Sequence, residues 1–465
     1  MIRLIAGFVC LTLLAGCEKQ ALDQTTSEQW FQAGQQAVAT MVEANTGKAK
    51  NIILVVGDGM GVATLTAARI FSGQQLDLAG EEYQLSFEGL PYSALIKTYN
   101  TDLQTPDSAG TMTALISGQK TSAGVLGVNK EANRADCQSA LGTEIHNIAD
   151  LAKKMGKKTA IVTTTRVTHA TPAALYAHSP ERNWESDDGL TEQAKQLGCK
   201  DIARQLVEDW PEHQLDIVLG GGRRHFLPES EGGKRLDQKN LIQQWRQQGR
   251  QYVEDAEQLA ELPTMEQPLL GLFSSSHIEY AYQRPAKQPG LMAMSKAALK
   301  QLERHEAGYL LVIEAGRIDH GHHDGQAYKA LAEAQELNNT LAWVQGHVDL
   351  TETLLIVTAD HSHTMTLLGY PTRGNPILSN IELNNGDVLD YPSVNYRNGP
   401  GANNWKESHE HPANVHQPAL VPLYSETHGG EDVALYAAGP WAHLLGGTLE
   451  QHWVYHVMKH ALLAN

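Results

Sequence analysis

Apolar residues along this 465-residue chain fall in short unbroken runs rather than in alternation. Five such runs, 52–56, 159–162, 216–219, 309–313 and 354–357, are rich in Val, Ile and Leu. A strand with one wet face alternates apolar and polar residues, whereas a strand covered on both faces need not. The runs therefore predict strands of a parallel sheet with cover on both sides. Stretches with a helical period accompany them, at 145–155, 295–304 and 328–344. The expected class is α/β: one large, mostly parallel central sheet with helices on both faces. The segment 371–422 departs from this pattern. It is rich in Asn, Gly, Pro and His with little helical or strand period, and reads as a small irregular insertion subdomain. A helix is also expected at 29–43, either as an arm on a partner subunit or packed on its own core.

The N-terminus reads as an export signal. Met1-Ile2-Arg3 precedes an apolar stretch that is too short to span a bilayer. It ends in Leu13-Leu14-Ala15-Gly16-Cys17, similar to a bacterial lipobox, in which the cysteine is lipidated and begins the mature chain. The alternative is a plain secretory signal with an incidental cysteine. Glu18 after Cys17 points to the outer membrane rather than inner-membrane retention, so the expected location is lipid-anchored and facing the periplasm or the cell surface. Apart from Cys10 and Cys17, the chain holds only Cys137 and Cys199, an even pair in an oxidising compartment. A bridge between them is predicted, against two buried free thiols. The formal net charge of −17 argues against nucleic acid or an anionic membrane surface as the main partner. It leaves room for a small anionic substrate, because a local cluster of metal ions can override the global field.

The chemistry sits where the strands end. Run 52–56 leads into Gly57-Asp58-Gly59-Met60-Gly61, and run 159–162 into Arg166, His169, Thr171 and Arg182. Run 309–313 ends at Glu314, followed by Asp319, His320, His322 and His323, and run 354–357 leads to Asp360-His361-Ser362-His363. Open parallel sheets bind ligands beyond the carboxyl ends of their strands. Singly, each piece has a plainer reading. Asp58 could cap a helix, the glycines could make a turn, and Asp319 and His323 at i and i+4 could form a surface ion pair. Four strand ends aiming Asp, Glu, His, Thr and Arg at one rim point instead to a metal site. Imidazole and carboxylate suit zinc, and an all-oxygen set suits magnesium. Ser108, in Pro106-Asp107-Ser108-Ala109-Gly110-Thr111, lacks the Gly-x-Ser-x-Gly elbow of base-activated serines, and a metal would serve to activate it.

These motifs resemble the alkaline phosphatases, the animal branch more than the best-known bacterial one. The resemblance adds Thr163-Thr164-Thr165-Arg166-Val167-Thr168-His169-Ala170-Thr171-Pro172, Gly316-Arg317-Ile318-Asp319-His320-Gly321-His322-His323 and Thr427-His428-Gly429-Gly430-Glu431-Asp432, and runs from about Trp30 to about Met458. It implies hydrolysis of small phosphate monoesters through a phosphoserine at Ser108, with two zinc ions and one magnesium. Asp319, His323 and His428 would form the first zinc site; Asp58, Asp360 and His361, with the Ser108 oxygen, the second. Asp58 would bridge to magnesium with Thr171 and Glu314, His169 lying close by. Arg182 matches the phosphate clamp, Asp107 would position it, and His320 would stand behind the phosphate. Cys137 and Cys199 match a family disulfide, and a homodimer is implied.

The chain is expected to divide into a signal at 1–16, an N-terminal segment at 17–46, a catalytic domain at 47–370 and 423–465, and, as the resemblance implies, a crown-like insertion at 371–422. Ser274-Ser275-Ser276 follows Gly271-Leu272-Phe273 where the animal enzymes carry an acidic calcium ligand, which speaks against a calcium site. Competing expectations are a sulfatase, a phosphodiesterase or a non-catalytic phosphate-binding lipoprotein. Ser108 lacks the Cys/Ser-x-Pro-x-Arg context of sulfatases, diesterases usually use threonine, and no principal ligand is missing.

Overall fold

The computed structural model describes residues 47–209, 215–264, 266–402 and 411–464. The expected signal, Cys17 and the 29–43 helix lie outside the described residues. The main sheet has ten strands. Eight are labelled in chain order: β1 (Asn51–Gly57), β2 (Tyr92–Lys97), β3 (Lys158–Arg166), β4 (Ile217–Gly221), β5 (Gln251–Val253), β6 (Leu269–Leu272), β7 (Tyr309–Ala315) and β8 (Thr353–Ala359). Across the sheet the order is Gly447–Glu450, β2, Val433–Ala438, β8, β1, β7, β3, β4, β6, β5. Val433–Ala438 runs antiparallel to both of its neighbours, and the other pairings are parallel.

All seven residues of β1, of β7 and of β8 are buried. Successive side chains point to opposite faces, so full burial means that both faces are covered. Each of the five apolar runs lies in a strand of this sheet, and the three expected helices are found at Ile148–Lys154, Leu291–Leu302 and Ala327–His347. The strands that the pattern did not reveal are short or lie toward the sheet's edges. β5 has three residues, β6 has four, and in β2 the exposed Leu95 hides the alternation of buried and exposed positions.

The segment 371–422 holds more strand than its composition suggests. Asn380–Glu382 pairs with Val388–Pro392, and Val394–Gly399 lies between Met365–Leu367 and Ala419–Pro422. Strands of three to six residues interrupted by Asn, Gly and Pro show no readable period.

Register brings the chemistry together. β8, β1, β7 and β3 are consecutive in the sheet, and Glu314 stands level with Val56 and Thr163. Gly57 stands level with Ala315 and Ala359, so four parallel strands deliver their last residues to one rim. Local capping fixes the helices that follow. Asp107 caps Ser108–Ser117 by accepting from the Gly110 amide at 3.1 Å, and Gly118 ends that helix at φ 77°. Asn147 caps Ile148–Lys154, accepting from the Ala149 and Asp150 amides while its own amide reaches the carbonyls of Ala174 and Leu175. Asn147→Ala removes the cap and leaves buried carbonyls unpaired, a loss of about 1–2 kcal/mol. Urea unfolding checks this by a lower midpoint at unchanged slope; an unchanged midpoint contradicts it.

Candidate active site

β1 ends in a tight turn that closes through the Met60 amide on the Gly57 carbonyl at 3.1 Å. Gly59 within it has φ 69°, and a Cβ there would sit 2.4 Å from the His363 ring. The turn therefore requires glycine. It sets Asp58 at the centre of the rim, fully buried, with no hydrogen-bond partner on either carboxylate oxygen. Asp360 accepts from the amides of Gly59 (3.0 Å) and His361 (2.9 Å) through Oδ1, while its Oδ2 is unpartnered. Glu314 accepts from the hydroxyls of Thr163 and Thr165 through Oε2, and its Oε1 is unpartnered. The Thr171 hydroxyl lies against the same carboxyl.

Buried carboxylate oxygens without donors are costly, and converging ones more so. Burial, reinforced by Asp360, Asp319 and Glu314, holds the Asp58 carboxyl well above the usual carboxylate range. Burial pushes Glu314 up to about 7. Both shifts describe a rim short of positive charge.

Ser108 begins its helix beside this rim, with Oγ 3.1 Å from His361 Nε2. The same nitrogen lies 3.4 Å from Asp58 Oδ1 and 3.4 Å from Asp360 Oδ2. His361 Nδ1 faces the Ser362 carbonyl, which can only accept, so the proton resides there and Nε2 presents a lone pair. Asp58, Asp360 and His361 form one group with metal-ligand spacing, and Asp58, His169 and Glu314 form a second.

A further set surrounds Asp319. Its Oδ1 lies 3.4 Å from His323 Nε2 and 3.5 Å from His428 Nε2. These two Nε2 atoms stand 3.0 Å apart. Each imidazole turns Nδ1 to a backbone carbonyl, His323 to Glu426 at 2.6 Å and His428 to Pro106 at 2.7 Å. Carbonyls only accept, so both Nδ1 atoms carry protons and both Nε2 lone pairs face each other. Two lone pairs facing each other beside a carboxylate is the disposition of metal ligands, oriented by their backbone partners.

Arg182 closes the site. It holds Asp107 Oδ2 at 3.0 Å through Nη1 and faces His169 Nε2 at 3.2 Å through Nη2. Burial of the Asp107 carboxyl is outweighed by Arg182, which holds it below the usual range. One residue thus caps the Ser108 helix and orients the arginine. His320 packs edge-on beside His169, with ring centroids 5.5 Å apart. Cys137 and Cys199 are joined by a disulfide.

Three residues here had no assigned role in the sequence reading. His363 lies 2.7 Å from Asp319 Oδ1 and 2.5 Å from Glu426 Oε2. Burial opposes its charge, but Glu426 and Asp319 outweigh burial and push it up to about 10. His361 and His363, two apart on extended backbone, carried a signal for a shared role. Glu426, in a loop, carried none. His277 packs 4.2 Å from the His320 ring and likewise lacked a motif.

A doubly covered, mostly parallel sheet that gathers metal-type ligands and a helix-terminal serine at one rim has the donor set of a metal-dependent hydrolase. The chain belongs to the alkaline phosphatase family, whose model, described as alkaline phosphatase, matches residues 49–464. It is 42% identical to the tissue-nonspecific alkaline phosphatase of Gallus gallus, over 97% of this chain and 93% of that protein. It is 40% identical to the alkaline phosphatase of Gadus morhua, over 96% of this chain and 98% of that one. Among solved structures, the Thermus thermophilus alkaline phosphatase superposes with a TM-score of 0.66 at 23% identity, covering 92% of this chain and 94% of that one. The enzyme of the Antarctic bacterium TAB5 gives 0.64 at 19% identity, covering 90% of this chain and 100% of that one. These two likenesses concern the fold. The chain is an alkaline phosphatase that hydrolyses phosphate monoesters.

Proposed function

We propose that hydrolysis proceeds by double displacement through a phosphoserine at Ser108. The observation that carries this reading is the Ser108 hydroxyl, 3.1 Å from His361 Nε2 at the head of a ten-residue helix. The substrate phosphate lies against Arg182, whose guanidinium Asp107 holds in place. Ser108 Oγ attacks phosphorus, giving up its proton, and the bond to the ester oxygen breaks so that the alcohol leaves protonated. Water then attacks the phosphoserine, releasing inorganic phosphate and returning the hydroxyl. The N-terminus of the helix Ser108–Ser117 favours the negative charge that builds at its first residue.

The donor set fits the metals of this reading. Asp319, His323 and His428 would hold one zinc; Asp58, Asp360, His361 and the Ser108 oxygen a second; Asp58, Thr171 and Glu314 a magnesium, with His169 beside it. The unpartnered oxygens of Asp58, Glu314 and Asp360 support this assignment. When bound, these cations supply Lewis-acid charge where negative charge develops on the reacting oxygens. His320 stands behind the phosphate. Residues 371–422 form a crown-like insertion on a catalytic domain of 47–370 and 423–465, no calcium site accompanies the three metals, and the enzyme works as a homodimer. It is exported and anchored at the outer membrane through a lipid on Cys17. Among the described residues no helix is long and apolar enough to cross a membrane.

Ser108→Ala is expected to lower kcat/KM for an aryl phosphate by at least ~10³-fold, the order seen when a nucleophile is removed. The parent should turn over the aryl phosphate far faster than an aryl sulfate or an aryl phosphodiester. Retained activity in Ser108→Ala, or a preference for sulfate or diester, overturns the reading. Cys17→Ser should shift the enzyme from the membrane to the soluble fraction of exporting cells; unchanged membrane association contradicts the anchor.

A further inference from the structure

One wall of the site is built of three imidazoles in mutual contact. His277 and His320 rings lie 4.2 Å apart, and each is 5.5 Å from the His169 ring. Each imidazole meets a different arginine. His169 Nε2 faces Arg182, His277 Nδ1 accepts from the Arg166 amide at 3.3 Å while its Nε2 faces the Arg166 guanidinium, and His320 Nδ1 lies 3.1 Å from Arg317 Nη1. Two of the arginines have carboxylate partners: Asp107 for Arg182 and Glu185 for Arg166. Arg317 has none among the described residues. Its charge rests instead on the face of Tyr280, 3.7 Å from the ring centroid, and its Nε is buried without a hydrogen-bond partner. Tyr280 is fixed in turn by its hydroxyl, which donates to Asp324 Oδ2 at 3.1 Å.

A guanidinium has donors only and does not lose its proton. Where only one nitrogen of a ring faces such a donor, as in His320, that nitrogen accepts; His277, with a donor of Arg166 at each nitrogen, cannot accept at both. His320 Nδ1 is then the bare nitrogen, and the ring proton is confined to Nε2. The His277 ring packed on His320 restrains the imidazole from turning over.

We propose that Arg317, seated on Tyr280, is a positioning residue for the phosphate site: it keeps the His320 proton on Nε2, so that this nitrogen donates. This rests on the reading of His320 as a residue behind the phosphate. A carboxylate in the place of Arg317 would accept from Nδ1 and draw a proton there, whereas a guanidinium leaves Nε2 as the nitrogen that carries the proton. An arginine imposes the donor form. Tyr280 allows the cation to be held without a carboxylate that would compete for it.

The test compares Arg317→Met, which keeps much of the side chain's bulk without a donor, with Arg317→Lys, which restores one. Holoenzymes are matched for metal content and thermal midpoint. In protein labelled with ¹⁵N-histidine, the His320 signals, assigned by their loss in His320→Gln, should show Nδ1 unprotonated and Nε2 protonated in the parent. Arg317→Met should mix or reverse that pattern and weaken competitive inhibition by inorganic phosphate about tenfold, with KM for an aryl phosphate rising in parallel and kcat changing less. Arg317→Lys should recover most of both. An unaltered His320 pattern in Arg317→Met overturns the proposal, as does a loss that lysine fails to rescue. If His320→Gln leaves phosphate inhibition unchanged while Arg317→Met alters the tautomer, His320 does not act on phosphate, and the site reading fails rather than the Arg317 contact.

Discussion

Mutual repulsion among four buried carboxylates is the constraint on which this structure turns. Asp58, Glu314, Asp319 and Asp360 are each at most 4% exposed, and three of them present oxygens with no donor. Two like charges 4 Å apart repel by about 4 kcal/mol at the effective dielectric of a protein surface, and burial makes the cost larger. No arrangement of the chain alone removes it. Arg182 is committed to Asp107, and the proton held on His363 serves only the Asp319 side. The imidazoles His323, His361 and His428 present lone pairs rather than protons. Short of the proton uptake that the raised Asp58 and Glu314 carboxyls favour, the rim is an acceptor-rich cavity that cations would complete, and attraction for a phosphate in a protein of net charge −17 would follow from those cations rather than from the surface.

The sheet makes this strained arrangement possible. β8, β1, β7 and β3 are packed on both faces, and their registers leave Glu314, Gly57 and Ala359 level. Strands held this firmly can carry unfavourable residues at their ends, because the energy that fixes them comes from the apolar runs behind. The backbone carbonyls of Pro106, Glu426 and Ser362 then set the tautomers of three histidines.

Much of this was legible in the sequence because burial on both faces leaves a continuous apolar run, and because parallel strands end where ligands bind. The run 52–56 and the turn containing Asp58 announced both the strand and its chemistry. The five strands that escaped had short lengths, edge positions or mixed exposure, as in β5 and β2. Glu426 escaped for a different reason. It reaches His363 from a loop whose path depends on the pairing of His363 with His428, a long-range contact that no local period encodes. His277 and the Tyr280 platform for Arg317 are likewise products of tertiary packing.

Cations complete the rim, and metal removal tests that most directly. Protein stripped by exhaustive chelation, with the loss verified by elemental analysis, should lose phosphatase activity. Its unfolding midpoint should also fall, by a stability on the order of 3 kcal/mol or more if the sites are normally filled at a hundredfold excess over Kd. Zinc and magnesium together should restore both. Activity or a midpoint that survives verified removal of the metals would contradict the account.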